Sequence, residues 1–302
     1  MRRLLFYFIA IVIFASCKKE EVVFENNNIP DYDGIPTLLV QNYVNRLFID
    51  LIGREPLDTE MNAEVAALES AGLSFTARTD LANRLVYSTN YLPGDSSYNY
   101  AYYVKLYENA KARLLEGASD AYIYSEYGIF RNAAVTDSAG GNFTGYELNM
   151  AQANRLLDII DSREELRMGE IDIDEMFRRM MYNSIYDQIN MNSFNFVNAT
   201  FNDLYYRFPT QSEFENAYNI IEFNQPAELF GNIIQNKTEY LETLTQDQEY
   251  FEGMILWAYQ SLLSRDAQTS EVFQLSGTFM SDKNFQTVQL KILISDEYAG
   301  FN

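Results

Sequence analysis

The chain has 302 residues, 43 of them acidic and 22 basic, for a net charge of -21. Such a surface repels nucleic acid and anionic lipid, so neither is expected as a main binding partner. The chain contains no histidine and one cysteine, and its aromatic content lies mostly in 23 tyrosines and 21 phenylalanines. Missing histidine excludes Ser-His-Asp and Cys-His nucleophiles, His general bases and His-ligated zinc. A lone cysteine allows no intrachain disulfide, so stability rests on the core.

Residues 1–16 read as a signal peptide. Met1-Arg2-Arg3 is a basic start, Leu4 to Phe14 an apolar run, and Ala15-Ser16 a pair of small residues before Cys17. The apolar run is about half the ~20 residues of a spanning helix. Phe14-Ala15-Ser16-Cys17 resembles the lipobox of bacterial lipoproteins, with Phe14 where leucine is commoner. The resemblance implies that Cys17 carries lipid and becomes the first residue of a mature chain of about 286 residues and charge -23. Two or three acyl chains anchor firmly, at about 0.8 kcal/mol per buried CH2.

Lys18, Lys19, Glu20 and Glu21 follow. The cluster resembles the surface-export signal of Bacteroidota lipoproteins, which implies an outer-membrane location facing the cell exterior; it reads equally as a solvated linker. Residues 17–37 as a whole are polar and turn-rich, with Asn26-Asn27-Asn28, Pro30, Asp33-Gly34 and Pro36, and predict a flexible tether.

The body predicts an all-α fold built from three divergent copies of a three-helix unit, at 38–92, 191–245 and 246–302. Arg54 to Glu60, Arg207 to Glu213 and Arg265 to Glu271 each place Glu six residues after Arg, with Ser or Thr one residue before the Glu. Val44, Phe48 and Leu51 precede Arg54 by ten, six and three residues, as Val197, Phe201 and Leu204 precede Arg207 and Ile255, Tyr259 and Leu262 precede Arg265. Those offsets fall on one helical face. Pro56 and Pro209 stop the first helix, and Thr210 with Glu213 fits a capping box opening the second. The arginines are expected to be structural clamps, bonding carbonyls at the end of helix one or pairing with the glutamate. Each unit is then expected to close with a third helix ending in tyrosine: Leu81 and Leu85 before Tyr91, Phe230 and Ile234 before Tyr240, Val288 and Ile292 before Tyr298.

Between the first two copies, 93–190 reads as a helical insertion with a long loop. Tyr98 to Leu115, Glu147 to Ser162 and Ile173 to Asn190 have helical periodicity, whereas Ala121 to Gly145, with Gly128 and Gly140-Gly141, predicts a loop or small hairpin. The tyrosines from Tyr98 to Tyr127 suit either a core or a sugar- or protein-binding face. Asp137-Ser138-Ala139 matches the short O-glycosylation motif of Bacteroidota envelope proteins, making Ser138 a candidate attachment site. Glu170, Asp172, Asp174 and Glu175 are crowded but lack EF-hand spacing, and read as a helix N-terminus. No metal site and no cofactor are expected, and no Gly-rich phosphate loop occurs.

Asn45 to Glu60 resembles the start of a bacterial domain of unknown function found in large planctomycete proteins beside cytochrome-c-like domains. Arg46, Asp50, Leu51, Gly53, Pro56 and Glu60 carry the match. Ser295-Asp296-Glu297-Tyr298 resembles the end of extracellular modules with a late Ser-x-Glu-Tyr. Neither resemblance implies a reaction. The expected function is a non-enzymatic, lipid-anchored accessory or scaffold subunit of an envelope complex for transport or secretion, partnered by the bilayer and by outer-membrane protein. Alternatives are a glycan-binding surface lipoprotein and a carboxylate-dependent hydrolase.

Overall fold

The computed structural model describes residues 34–92 and 95–301. The signal peptide, Cys17 and the cluster Lys18, Lys19, Glu20 and Glu21 lie outside the described residues. Those that are described form an all-α fold with one two-stranded antiparallel sheet. None of their helices is long and apolar enough to cross a membrane.

Helix α1 (Thr37–Ile52) shows why the pattern folds as it does. Val40, Tyr43, Val44, Leu47, Phe48 and Leu51 form its inward stripe and are at most 1% exposed. Each large side chain so buried stabilises the fold by roughly 2 kcal/mol. The helix stops at Gly53, whose φ of 81° is the left-handed conformation that favours glycine. Helices α2 (Asp58–Ser70) and α3 (Phe75–Tyr87) complete the first segment. Helix α4 (Tyr98–Leu114) then packs on α1 and α3 and brings the intervening region into the same body.

The stretch expected to be a loop is helical. Helices α5 (Asp120–Ala139) and α6 (Phe143–Met168) form a long antiparallel hairpin, turning only at Gly140 to Asn142. Gly128 sits inside α5 with open space around it, so it costs some propensity without breaking the helix. Helices α7 (Ile173–Met181) and α8 (Ser184–Asn190) lead back to the second Arg-Glu segment.

That segment contains α9 (Ser193–Tyr205), α10 (Gln211–Phe223), strands β1 (Ala227–Leu229) and β2 (Asn232–Ile234), and α11 (Lys237–Gln246). The expected third helix through Phe230 and Ile234 is therefore a β-hairpin. Phe230 and Gly231 take the turn at φ 50° and 76°. Leu229 and Ile234 point inward from the two strands, and Phe230 packs on Phe201 and Tyr205.

The last segment comprises α12 (Gln248–Leu263), α13 (Thr269–Asp282), α14 (Phe285–Leu293) and α15 (Asp296–Ala299). Helices α9 and α12 approach so closely that a Cβ on Gly253 would run into the Leu204 carbonyl oxygen. The two ends of the body also meet: the Tyr43 hydroxyl donates to the Leu293 carbonyl at 3.1 Å, and Arg46 to the carbonyls of Tyr298 and Leu262 at 2.7 and 3.0 Å.

The closing tyrosines differ from expectation. Tyr240 and Tyr298 are fully buried, but Tyr91 is 73% exposed, because α3 ends at Tyr87. The following Leu92-Pro93 sequence disfavours helix there.

Candidate functional site

The three arginines singled out by the sequence sit in closely similar surroundings. The Arg54 Nη1 and Nη2 donate to the two Glu60 oxygens at 2.8 and 2.9 Å, and Arg207 binds Glu213 with both distances at 2.8 Å. Arg265 holds Glu271 at 2.8 and 2.7 Å. Each guanidinium also donates to the carbonyl of the next residue, Glu55, Phe208 or Asp266. Each glutamate accepts the backbone N–H three residues before it, at Leu57, Thr210 or Gln268, and so holds the start of the second helix. Only Thr210 returns a hydroxyl contact, to the Glu213 N–H. Each arginine further lies over an aromatic ring on the helix before it: Phe48, Phe201 or Tyr259.

Each arginine has a second acid that sequence reasoning missed: Asp95, Glu249 and Glu297, bonded through Nε at 3.0, 2.6 and 2.6 Å. These lie 41, 42 and 32 residues beyond their arginines, a variation that hides them. The signal available was the buried tyrosine that follows each: Tyr98, Tyr250 and Tyr298. Arg207 holds the Glu213 carboxyl down at about 2, against burial that pushes it up. Arg265 likewise lowers Glu271. Burial of Glu60 is outweighed by its bonds from Arg54, the Leu57 N–H and the Tyr98 hydroxyl, and its carboxyl is lowered as well.

Ser138 is exposed, on the last turn of α5 and not in a loop, because the chain stays helical to Ala139. Its neighbour Asp137 is occupied, accepting from Asn142 and Asn149 at 3.0 and 2.8 Å. In the acidic cluster, Asp172 caps α7 by position, and Lys283 contacts it and Asp174 at 3.6 and 2.8 Å. Glu175 is held by Arg178 and Arg179.

The chemistry not predicted from the sequence lies in a cleft of about 420 Å³ between α4 and α12. Lys105, Asn109 and Arg113 recur every four residues and line one wall from a single face of α4. Beside and behind that row the helix buries Tyr102, Leu106, Tyr107 and Ala110. Trp257 and Ser261, also four apart, form the α12 wall; Phe285 and Gln289 come from α14, and Asp50 from α1.

Trp257 is the only tryptophan of the chain. Its ring stacks on Phe285 at 5.5 Å and 9°, and meets Phe177 edge-on at 5.7 Å. Packing on two rings fixes the indole as a rigid, half-buried wall.

Arg113 is locked in place without a carboxylate. Its Nε donates to the Asp203 carbonyl at 3.1 Å, its Nη1 to the Tyr206 hydroxyl, and its plane lies over the Tyr206 ring at 4.4 Å. Tyr206 offers that hydroxyl from a left-handed backbone position, φ 57°, at the end of α9. The Asp203 carboxyl is turned elsewhere, accepting from Tyr186 at 2.7 Å. Lys105 runs past Gly53, and its ammonium has neither ion pair nor hydrogen bond among the described residues.

Asp50 is the one carboxylate in the lining. Burial pushes it upward, partly offset by the Tyr298 hydroxyl at 2.7 Å and by Arg46 and Lys105. Gln289 accepts from Tyr102 through Oε1 and keeps its amide nitrogen available. The cleft thus offers two cations, one acid, several neutral polar groups and an aromatic wall. Two other cavities are acidic: Glu239, Glu242 and Asp247 line one, and Asp174, Glu175 and Glu242 face Arg178 in another. No protein-family model matches the chain, and no curated protein or solved structure matches it either.

Proposed function

We propose that this chain is a lipid-anchored outer-membrane protein, held through acylated Cys17 and facing the cell exterior, that serves as a non-enzymatic accessory or scaffold subunit of an envelope protein complex for transport or secretion. The observation that carries the reading is the α5–α6 hairpin. Helix α5 packs on α6 and on little else, and only Ile123 and Ala134 of its side chains are buried.

Ile129, Val135, Phe143 and Leu148 of the hairpin are between 56% and 67% exposed. In a chain of charge -21, the stretch from Ala121 to Asn154 carries only Glu126, Arg131, Asp137 and Glu147. A sparsely charged projection with exposed apolar side chains is suited to docking on protein. Its tip is also preorganised, since Asp137 bonds Asn142 and Asn149 while Asn142 caps α6 through the Gly145 N–H at 3.1 Å.

The test is co-purification of the tagged full chain in mild detergent, read by mass spectrometry. A stoichiometric outer-membrane protein is expected, and it is lost from the double variant Phe143→Ser, Leu148→Ser while the variant keeps its helical signal. Absence of any stoichiometric partner, or its retention by the double variant, rejects the reading.

A further inference from the structure

Among the described cavities, the α4–α12 cleft is the one whose lining carries more cations than acids. That excess stands out in a chain with 43 acidic and 22 basic residues, where Arg54, Arg207 and Arg265 are each tied to carboxylates. A lysine in direct ion-pair contact with no acid, beside a cavity with a second cation, draws an anion into it. Asp50 in the same lining disfavours a doubly charged group such as a phosphate monoester. Arg113 reinforces that limit, because three of its five N–H groups are spent on the Asp203 carbonyl and the Tyr206 hydroxyl, which leaves it fewer for a phosphate.

The remaining features select the body of the ligand. The Trp257 indole, stacked on Phe285 and approached by the Arg113 guanidinium at 5.8 Å, gives a rigid aromatic wall, while Asn109, Ser261 and the Gln289 amide supply hydrogen bonds around it. Many neutral polar groups beside one aromatic face suit a ring bearing hydroxyls better than a purely apolar molecule. The volume of about 420 Å³ is that of a small-molecule pocket.

We propose that this cleft binds a carboxylated sugar, with the Lys105 ammonium on the carboxylate, the indole of Trp257 against the ring, and Asp50, Asn109 and Ser261 on its hydroxyls. The site is separate from the α5–α6 hairpin, and binding there does not depend on the subunit role proposed above.

Trp257 makes the test direct, since all tryptophan emission from the chain reports on this cleft. The full chain in mild detergent is titrated with D-glucuronate, D-galacturonate, D-glucose and acetate. One of the two uronates is expected to change the emission to saturation, with D-glucose and acetate at least about tenfold weaker, the scale of one charge-assisted hydrogen bond. Lys105→Gln is expected to bring the uronate down to the level of D-glucose with no change in melting temperature. Trp257→Phe, followed by calorimetry, is expected to weaken it as well. The proposal is overturned if neither uronate saturates, if D-glucose or acetate binds as tightly, or if Lys105→Gln leaves uronate affinity unchanged.

Discussion

Helices α1 and α5 are similar in length, 16 and 20 residues, yet they are held by opposite means. Helix α1 buries an unbroken apolar stripe against α2, α3, α4 and the C-terminal α15. Helix α5 packs chiefly on α6 and is pinned at its ends by polar groups. At the root, Asp120 accepts from the Tyr107 hydroxyl at 2.9 Å and from Lys111 at 2.6 Å. Burial raises the Asp120 carboxyl less than Lys111, Tyr107 and Arg163 lower it, so it stays ionised. At the tip, Asp137 gathers Asn142 and Asn149. Placing the fixing interactions at root and tip leaves the apolar side chains between them free to face outward. Helix α1 turns most of its apolar residues to the core, whereas α5 buries only Ile123 and Ala134.

Substitution in the two regions therefore has unequal effects. The largest is expected at the α9–α12 crossing, where Gly253→Ala forces the helices apart and costs about 3 kcal/mol, the upper range for overpacking. Urea unfolding checks it, as a drop in the midpoint at unchanged slope.

Next come the clamps. Arg207→Ala leaves Glu213 and Glu249 without their cation and is expected to cost about 2 kcal/mol, discounted because Arg207 is 32% exposed. Glu213 titrates lower in the folded chain, at about 2, than in the unfolded chain. Its contribution is therefore present above the unfolded carboxylate range and lost as pH falls toward 2. Chemical melts between pH 5 and pH 2.5 should show the wild type losing more stability than Arg207→Ala; parallel curves would remove Glu213 from the acid response.

The smallest effect belongs to the hairpin, where Phe143→Ser with Leu148→Ser should shift stability by less than about 0.5 kcal/mol. A larger loss would mean that these side chains support the hairpin and are not surplus to it.

The same contrast decides what could be read from the sequence. Val44, Phe48 and Leu51, with their counterparts before Arg207 and Arg265, repeat because they face a core, so α1, α9 and α12 were legible, as was the Arg-Glu spacing. Helix α5 was not, since it has no sustained buried stripe and its glycines suggested turns. The β1–β2 hairpin was missed because Phe230 and Ile234, four apart, fit a helical face as well as a turn and the strand after it. The cleft was illegible for another reason. It joins Asp50, Lys105, Trp257 and Gln289 from four separate helices, and none of these residues is unusual in its own local stretch.

The meeting of the two ends of the body also sets the order in which the protein can be finished. Tyr43 and Arg46 bond to the carbonyls of Leu293 and Tyr298, and the Asp50 carboxylate accepts the Tyr298 hydroxyl. Helix α1 is made early, but groups that complete its environment lie some 250 residues further along the chain. Until they emerge, that helix must wait with its apolar stripe only partly covered. Contacts spanning 250 residues carry a high entropic cost of closure and form late. A chain still being synthesised is thereby kept from closing this part of the core before the segment from Leu293 to Tyr298 has been joined.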